Sequence, residues 1–218
     1  MGNDFTGKIY ILRHGQTDCN KAGLWYCPED SHINEDGRKQ AEAIKDVIFK
    51  IDPERVYCSP FQRCIDTAEM VTGKDSRYPI IIDECLGERN FRGIEGLDSE
   101  GIMRNFGVSM NFSPVTPNID FIPGVESSST FHKRIEKCMD NILNNSKDNE
   151  KILLVTHGGV MWSIIHQKLN LVPKPRTFLN CALLGLEVKH GIFSPFLSIN
   201  MREDWYSDIN PSWSSLQL

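Results

Sequence analysis

Apolar positions recur along the chain in two alternating rhythms. Lys8-Ile9-Tyr10-Ile11-Leu12 is a short apolar run rich in β-formers, and Arg55-Val56-Tyr57-Cys58, Pro79 to Asp83 and Lys151 to Thr156 read the same way. Between them, Asp36 to Phe49 carries Ala43, Ile44, Val47 and Ile48 at helical spacing, after a polar start that includes Gly37. Ser59-Pro60 predicts a cap and a first-turn proline, opening a helix that runs through Met70. Ser127 to Leu143 predicts an amphipathic helix, and Val160 to Leu169 the helix after the most hydrophobic strand. Cys181 to Val188 and Ile192 to Asn200 predict closing strands, ahead of a tail from about residue 201 that holds Trp205, Tyr206 and Trp213. Residues 97–123 show no clear period and several Pro, Asn and Ser, so they read as a cap-like insertion. Repeated strand–helix alternation predicts a three-layer α/β/α sandwich around a largely parallel sheet. No repeat, low-complexity tract or linker divides it, so residues 1–218 read as one domain.

Composition narrows the partners. A content of 40% hydrophobic and 24% charged residues is that of an ordinary globular protein, and a net charge of -5 gives no footprint for nucleic acid. An anion site must therefore be a local concentration of basic groups. The seven cysteines are odd in number, form no CxxC pair and follow no signal peptide, which fits reduced thiols in the cytoplasm. No apolar run reaches the length of a membrane span, so no stable membrane association is expected. Met1-Gly2-Asn3-Asp4-Phe5-Thr6 matches the bare myristoylation pattern. With Lys8 the only nearby base and one acyl chain a marginal anchor, a chance match is the favoured reading. Homo-oligomerisation is left open.

Two strands end alike. Ile11-Leu12 runs into Arg13-His14-Gly15, and Val155-Thr156 runs into His157-Gly158-Gly159. In an open parallel sheet, ligands bind beyond the carboxyl ends of the strands. A strand-His-Gly junction sets an imidazole there, and the glycine lets backbone amides approach an anion closely. One such histidine is most simply a satisfied core residue. Two at matched junctions, one beside an arginine, point to a site.

Leu12-Arg13-His14-Gly15-Gln16-Thr17, followed by Asn20, resembles the signature of the histidine phosphatase (phosphoglycerate mutase-like) superfamily. In chain order, Asp36-Gly37-Arg38-Lys39-Gln40-Ala41 is similar to that family's first helix start. Ser59-Pro60-Phe61-Gln62-Arg63 with Asp66-Thr67-Ala68-Glu69 resembles its second arginine motif, and Glu88-Arg89-Asn90-Phe91 closing on Glu95-Gly96 its acid loop. Pro123-Gly124-Val125-Glu126-Ser127 and Thr156-His157-Gly158-Gly159 complete the series. A lone Arg-His-Gly is weak, but this ordered series of motifs between residues 9 and 159 is specific.

The resemblance implies a metal-independent phosphatase acting on a small phosphomonoester through a phosphohistidine, with no cofactor. His14 is then the nucleophile, its second ring nitrogen donating to a backbone carbonyl that sets the tautomer. Arg13, Arg63 and His157 hold the phosphoryl oxygens, a task that suits the planar, permanently charged guanidinium. Glu88 protonates the leaving oxygen and then takes a proton from water. Gln16, Asn20 and the amides near Thr17 and Gly158 are accessory phosphate contacts.

Rival readings stand beside these roles. Arg63 alone would be a surface salt bridge, and Glu84 and Glu95 compete with Glu88. His32, His132, His166 and His190 match no motif and read as surface or half-buried residues. No cysteine begins a Cys-x5-Arg loop, and no HExxH, Walker loop or clustered metal set appears. Two departures from the family pattern stand out: Arg92 where a glycine is expected after Phe91, which can supply a base that reads an acidic substrate, and the unusual Trp25-Tyr26-Cys27-Pro28-Glu29-Asp30 stretch. Arg104 is the only base in residues 97–122, where mutases of this type resemble longer chains with a basic insertion. Phosphatase is thus preferred to cofactor-dependent phosphoglycerate mutase. A non-catalytic phospho-ligand binder of the same fold has no use for Glu88.

Overall fold

A computed structural model describes residues 5–73, 79–110, 117–173, 177–202, 216 and 218. The myristoylation-like start, as far as Asp4, and Trp205, Tyr206 and Trp213 of the tail lie outside the described residues. Six strands form one sheet: β1 (Gly7–Arg13), β2 (Arg55–Cys58), β3 (Ile80–Ile82), β4 (Lys151–Thr156), β5 (Phe178–Lys189) and β6 (Ile192–Met201). Their spatial order is β3-β2-β4-β1-β5-β6. The first four run parallel to one another; β5 joins β1 and β6 joins β5 antiparallel.

Among the described residues there are six α-helices: α1 (Asp18–Lys21), α2 (Glu35–Ile51), α3 (Gln62–Thr72), α4 (Ser99–Phe106), α5 (Ser128–Asn144) and α6 (Gly158–Leu169). The two-residue period of the central strands sorts their side chains to opposite faces. Tyr10, Leu12, Leu153 and Val155 pack with Ala41, Ile44 and Ile48 of α2 and Cys64, Ala68 and Val71 of α3. Ile9, Ile11, Ile152 and Leu154 pack with Phe131, Ile135 and Met139 of α5 and Val160, Ile164 and Ile165 of α6. This is the expected three-layer sandwich. Strands buried on both faces need apolar residues at every position, which is why β1 and β4 read as unbroken runs.

Local signals set the helix ends. Asn34 caps α2 by accepting from Gly37 N, and Ser127 caps α5 by accepting from Thr130 N. The start of α3 differs from expectation: its cap is Phe61, without a side-chain hydrogen bond, while Ser59 Oγ accepts from Phe61 N at 3.3 Å and contacts His157 Nε2. The 97–123 insertion also differs, because it contains α4, capped by Asp98 and ended by Gly107 in the left-handed region at φ 68°. With only eight residues, α4 was too short to show a period. Around it Phe91, Ile94, Ile102, Met110, Ile119 and Ile122 form a third apolar cluster, and Trp25 and Tyr26 pack against it. In the tail, Leu216 makes a parallel bridge to Ile199 on β6.

Candidate active site

Parallel pairing of β1 with β4 brings the two strand-His-Gly junctions together. Leu12 lies opposite Val155 and Arg13 opposite Thr156, so both histidines leave the same edge of the sheet. His14 N donates to Thr156 O at 2.9 Å, and the His14 and His157 rings meet edge-on at 5.2 Å between centroids. The turn after β1 leaves no room for a side chain. A Cβ on Gly15 would stand 2.7 Å from Gly37 O, and one on Gly37 would collide with the backbone of Gln16. Two facing glycines thus let the first turn of α2 press backbone-on-backbone against the His14 loop, with Gln40 Oε1 accepting from Gln16 N at 3.0 Å.

His14 is buried, and its Nδ1 lies 2.7 Å from Gly15 O. A carbonyl only accepts, so the ring proton sits on Nδ1 and Nε2 keeps its lone pair. Burial, then the positive charges of Arg63 and Arg13, hold His14 well below its ordinary pKa, so it stays neutral. Burial and the same arginines do the same to His157. Arg13 Nη1 donates to Phe178 O at 2.6 Å and Arg63 Nη1 to Pro28 O at 3.0 Å, yet the Nε atoms of both are buried without a partner. Two buried cationic donors left unsatisfied beside a neutral imidazole mark a place prepared for an anion. Cys64, against the His157 ring, is pushed up to about 12 by burial and remains a thiol.

Glu88 faces this group from the acid loop. Its carboxylate accepts from Gly159 N at 3.0 Å and from Arg89 N at 2.9 Å. A Cβ on Gly159 would collide with that carboxylate, so the second glycine of the His-Gly-Gly turn leaves the carboxylate free to sit where it does. Arg134 on α5 holds the loop from behind, donating to Cys85 O at 2.9 Å and Gly87 O at 2.8 Å while pairing with Glu126 at 2.8 Å. Cys85 and Cys138 form a disulfide between this loop and α5, where reduced thiols were expected. With Asp83 they are a group that could hold a metal, but the bridge occupies both sulfurs, and none of the three lines the cavity over His14.

That cavity measures about 660 Å³. Arg13, His14, Asn20, Arg63, Glu88 and Gly158 line it. His157, Gln16 and Thr17 do not. His157 lies beneath the lining, with Nε2 2.8 Å from Ser59 Oγ. Gln16 Oε1 accepts from Asn34 Nδ2 at 3.1 Å. Thr17 caps α1 in a reciprocal pair with Asn20, each side chain accepting from the other's backbone at 3.2 Å. Glu84 and Glu95 are exposed and away from the cavity, and Arg92 is tied to Glu29 at 3.1 Å, so its charge is already answered.

Sequence reasoning missed Asn180, which lines the cavity and donates to His14 O at 3.2 Å and Asn20 Oδ1 at 3.1 Å. Its sole signal is a polar residue inside an apolar strand. It also missed Thr67, whose Oγ1 accepts from Gly15 N at 3.0 Å and donates to Arg63 O at 2.7 Å, joining the two arginine motifs.

A family model described as "Histidine phosphatase superfamily (branch 1)" matches residues 9–195. The metal-independent phosphoserine phosphatase of Arabidopsis thaliana is 32% identical over 160 residues, covering 72% of this chain and 66% of that protein. A probable phosphatase of Schizosaccharomyces pombe is 32% identical over 91 residues, 42% of this chain and 44% of its own length. Relatives named 2,3-bisphosphoglycerate-dependent phosphoglycerate mutase match as well. Among solved structures, YhfR of Bacillus stearothermophilus superposes with a TM-score of 0.76 at 23% identity, covering 87% of this chain and 95% of that one.

Proposed function

The chain belongs to the histidine phosphatase superfamily, and on that premise we propose that it is a metal-independent phosphomonoester hydrolase working through a phosphohistidine on His14. The observation that carries this reading is the neutral His14, its Nδ1 proton held by Gly15 O, between two arginines whose buried Nε donors lack a partner. His14 Nε2 attacks phosphorus as the ester P–O bond breaks, and Glu88 as general acid gives a proton to the leaving alkoxide. Water then attacks the phosphohistidine, Glu88 takes its proton, and the P–N bond breaks to return His14 and phosphate.

Arg13 and Arg63 neutralise the equatorial oxygens, a role that needs no metal ion. Gly158 N at the start of α6 and the Asn20 amide nitrogen are the accessory donors, since Asn20 Oδ1 is already taken by Thr17 and Asn180. His157, Gln16 and Thr17 act one step back, positioning the nucleophile and its loop. Hydrolysis is preferred to mutase action because Arg104 of the insertion is exposed, pairs with Glu100 on its own helix and does not reach the cavity.

Three measurements test the reading. His14→Ala should lower turnover by about 10⁴-fold or more, and quenched wild-type enzyme should carry acid-labile, base-stable phosphate. Label on cysteine or serine would overturn the nucleophile. Chelator should leave activity intact, and a loss restored by magnesium would overturn metal independence. With 3-phosphoglycerate and catalytic bisphosphoglycerate, isomerisation faster than phosphate release would make the protein a mutase.

A further inference from the structure

The cavity over His14 is larger than a phosphoryl group needs, and its outer part differs in character from its floor. Three arginines line it. Arg13 and Arg63 belong to the floor. The third, Arg89, has a side chain only 1% exposed, bonded to Asp120 Oδ1 at 2.5 Å and to Glu126 O at 2.8 Å, and stacked over the Phe91 ring. Among the described residues, no lining cation outside the floor is left to receive a carboxylate, whereas Glu29 lines the rim.

The rest of the lining includes Leu24, Trp25, Tyr26, Phe91, Met110 and Trp162, beside the uncharged polar residues Asn90, Ser99, Thr177 and Asn180. Both indoles have spent their one donor inside the protein: Trp25 Nε1 donates to Ser99 Oγ at 3.0 Å, and Trp162 Nε1 to Pro173 O at 3.1 Å. What they offer a ligand is ring carbon. Trp25 is further held edge-on to Phe91, at 6.3 Å between centroids, so the wall is shaped before anything binds.

Building on the phosphatase reading, we propose that the substrate is a phosphomonoester of an uncharged aromatic alcohol, and that the cap discriminates against esters carrying a carboxylate near the phosphate. A carboxylate would lose its hydration against aromatic carbon, and among the described lining residues no unpaired cation outside the floor compensates it. An aromatic ring would instead gain the burial of one apolar side chain's worth of surface, roughly thirty-fold in affinity.

The test compares kcat/KM of the full chain for benzyl and 2-naphthylmethyl phosphate against glycerol 2-phosphate, O-phosphoserine and 3-phosphoglycerate. All leave as aliphatic alkoxides, so differences report recognition more than leaving-group chemistry. We expect the aromatic esters to exceed glycerol 2-phosphate by about thirty-fold and the two carboxylates to fall below it. Trp25→Ala should shrink the aromatic-to-glycerol ratio by roughly ten-fold, chiefly through KM. The substrate series is read on the unaltered chain and does not depend on how the variant folds. Turnover of glycerol 2-phosphate with a ratio at or below one, or with the carboxylates preferred, overturns the aromatic assignment and leaves the phosphatase reading standing. No phosphate released from any ester, with His14 unlabelled, overturns both.

Discussion

The floor of the site and the cap above it are built by opposite means. The floor is polar, buried and assembled from short motifs at strand ends: Arg13-His14-Gly15 after β1, Arg63 at the start of α3 and His157-Gly158-Gly159 after β4. Its tolerances are set by close approach: Gly15 lies against the Gly37 backbone with no space for a methyl group, and a methyl at Gly159 would meet the Glu88 carboxylate. The cap is apolar and assembled from segments far apart in the chain, with Trp25 and Tyr26, Phe91 and Ile94, and Ile102 to Ile122 meeting in one cluster. Packed apolar walls can change by one residue without disturbing such a floor. On the proposal made above, reaction and recognition would be separated in space.

The largest expected effect comes from adding a single methyl group to the floor. Gly159→Ala should displace the Glu88 carboxylate and lower kcat/KM for an alkyl phosphate by about 10²–10³-fold, within the range general acid catalysis contributes. Loss on p-nitrophenyl phosphate, whose leaving group departs unaided, should be far smaller in the first step. Glu88→Gln should share this dependence and show a burst of about one nitrophenol per site. Rapid-quench kinetics decide it. Equal losses for both leaving groups would mean that the acid is another residue.

Next comes the joint between cap and sandwich. Asp120 pairs with buried Arg89 and also accepts from Ser128 N and Oγ at the start of α5, at 2.9–3.0 Å. Asp120→Ala leaves Arg89 buried without that partner and should cost about 3 kcal/mol, read as a lower denaturant midpoint. A change under about 1 kcal/mol would mean that cap and sandwich are not joined there.

A smaller effect concerns the floor and pH. His14 and His157 are held well below their ordinary pKa in the folded state, so as pH falls below about 6.5 the unfolded chain binds protons first. Their contribution is fully present above the unfolded value and is lost as pH falls toward the folded one. Stability should decline by up to about 1.4 kcal/mol per pH unit for each histidine, and His14→Gln should flatten the slope. Denaturant midpoints at several pH values give the answer, and an unchanged slope in the variant would place its titration elsewhere. Smallest is Arg92→Ala at the exposed rim, where the pair with Glu29 lies in water. It should leave the melting temperature and the alkyl-phosphate rate unchanged, and a marked loss of rate would return Arg92 to the site.

Much of this molecule was legible before folding. Strand periodicity, the helix with Ile44 and Ile48 inside, and the two strand-His-Gly junctions are local patterns, since each arises from residues within a few turns of one another, whereas Ala43, read into the same stripe, is exposed and Ala41 is buried in its place. The motifs therefore located Arg13, His14, Arg63, Glu88 and Gly158, which the fold brings to one cavity. Other features depend on approach between distant segments. Nothing within residues 97–123 announces that they and Trp25 form one wall, because a short capped helix and isolated apolar residues acquire a common face only when packed. Asn180 entered the site through the antiparallel pairing of β5 with β1, which no local period encodes. Local pattern alone therefore set the layers and which residues stand at the strand ends, because backbone hydrogen bonding and side-chain alternation act over a few residues. Which groups face the cavity, that His157 lies beneath it, and that Arg89 and Arg92 are already paired emerge with packing, because burial and ion pairing are properties of neighbours remote in the chain.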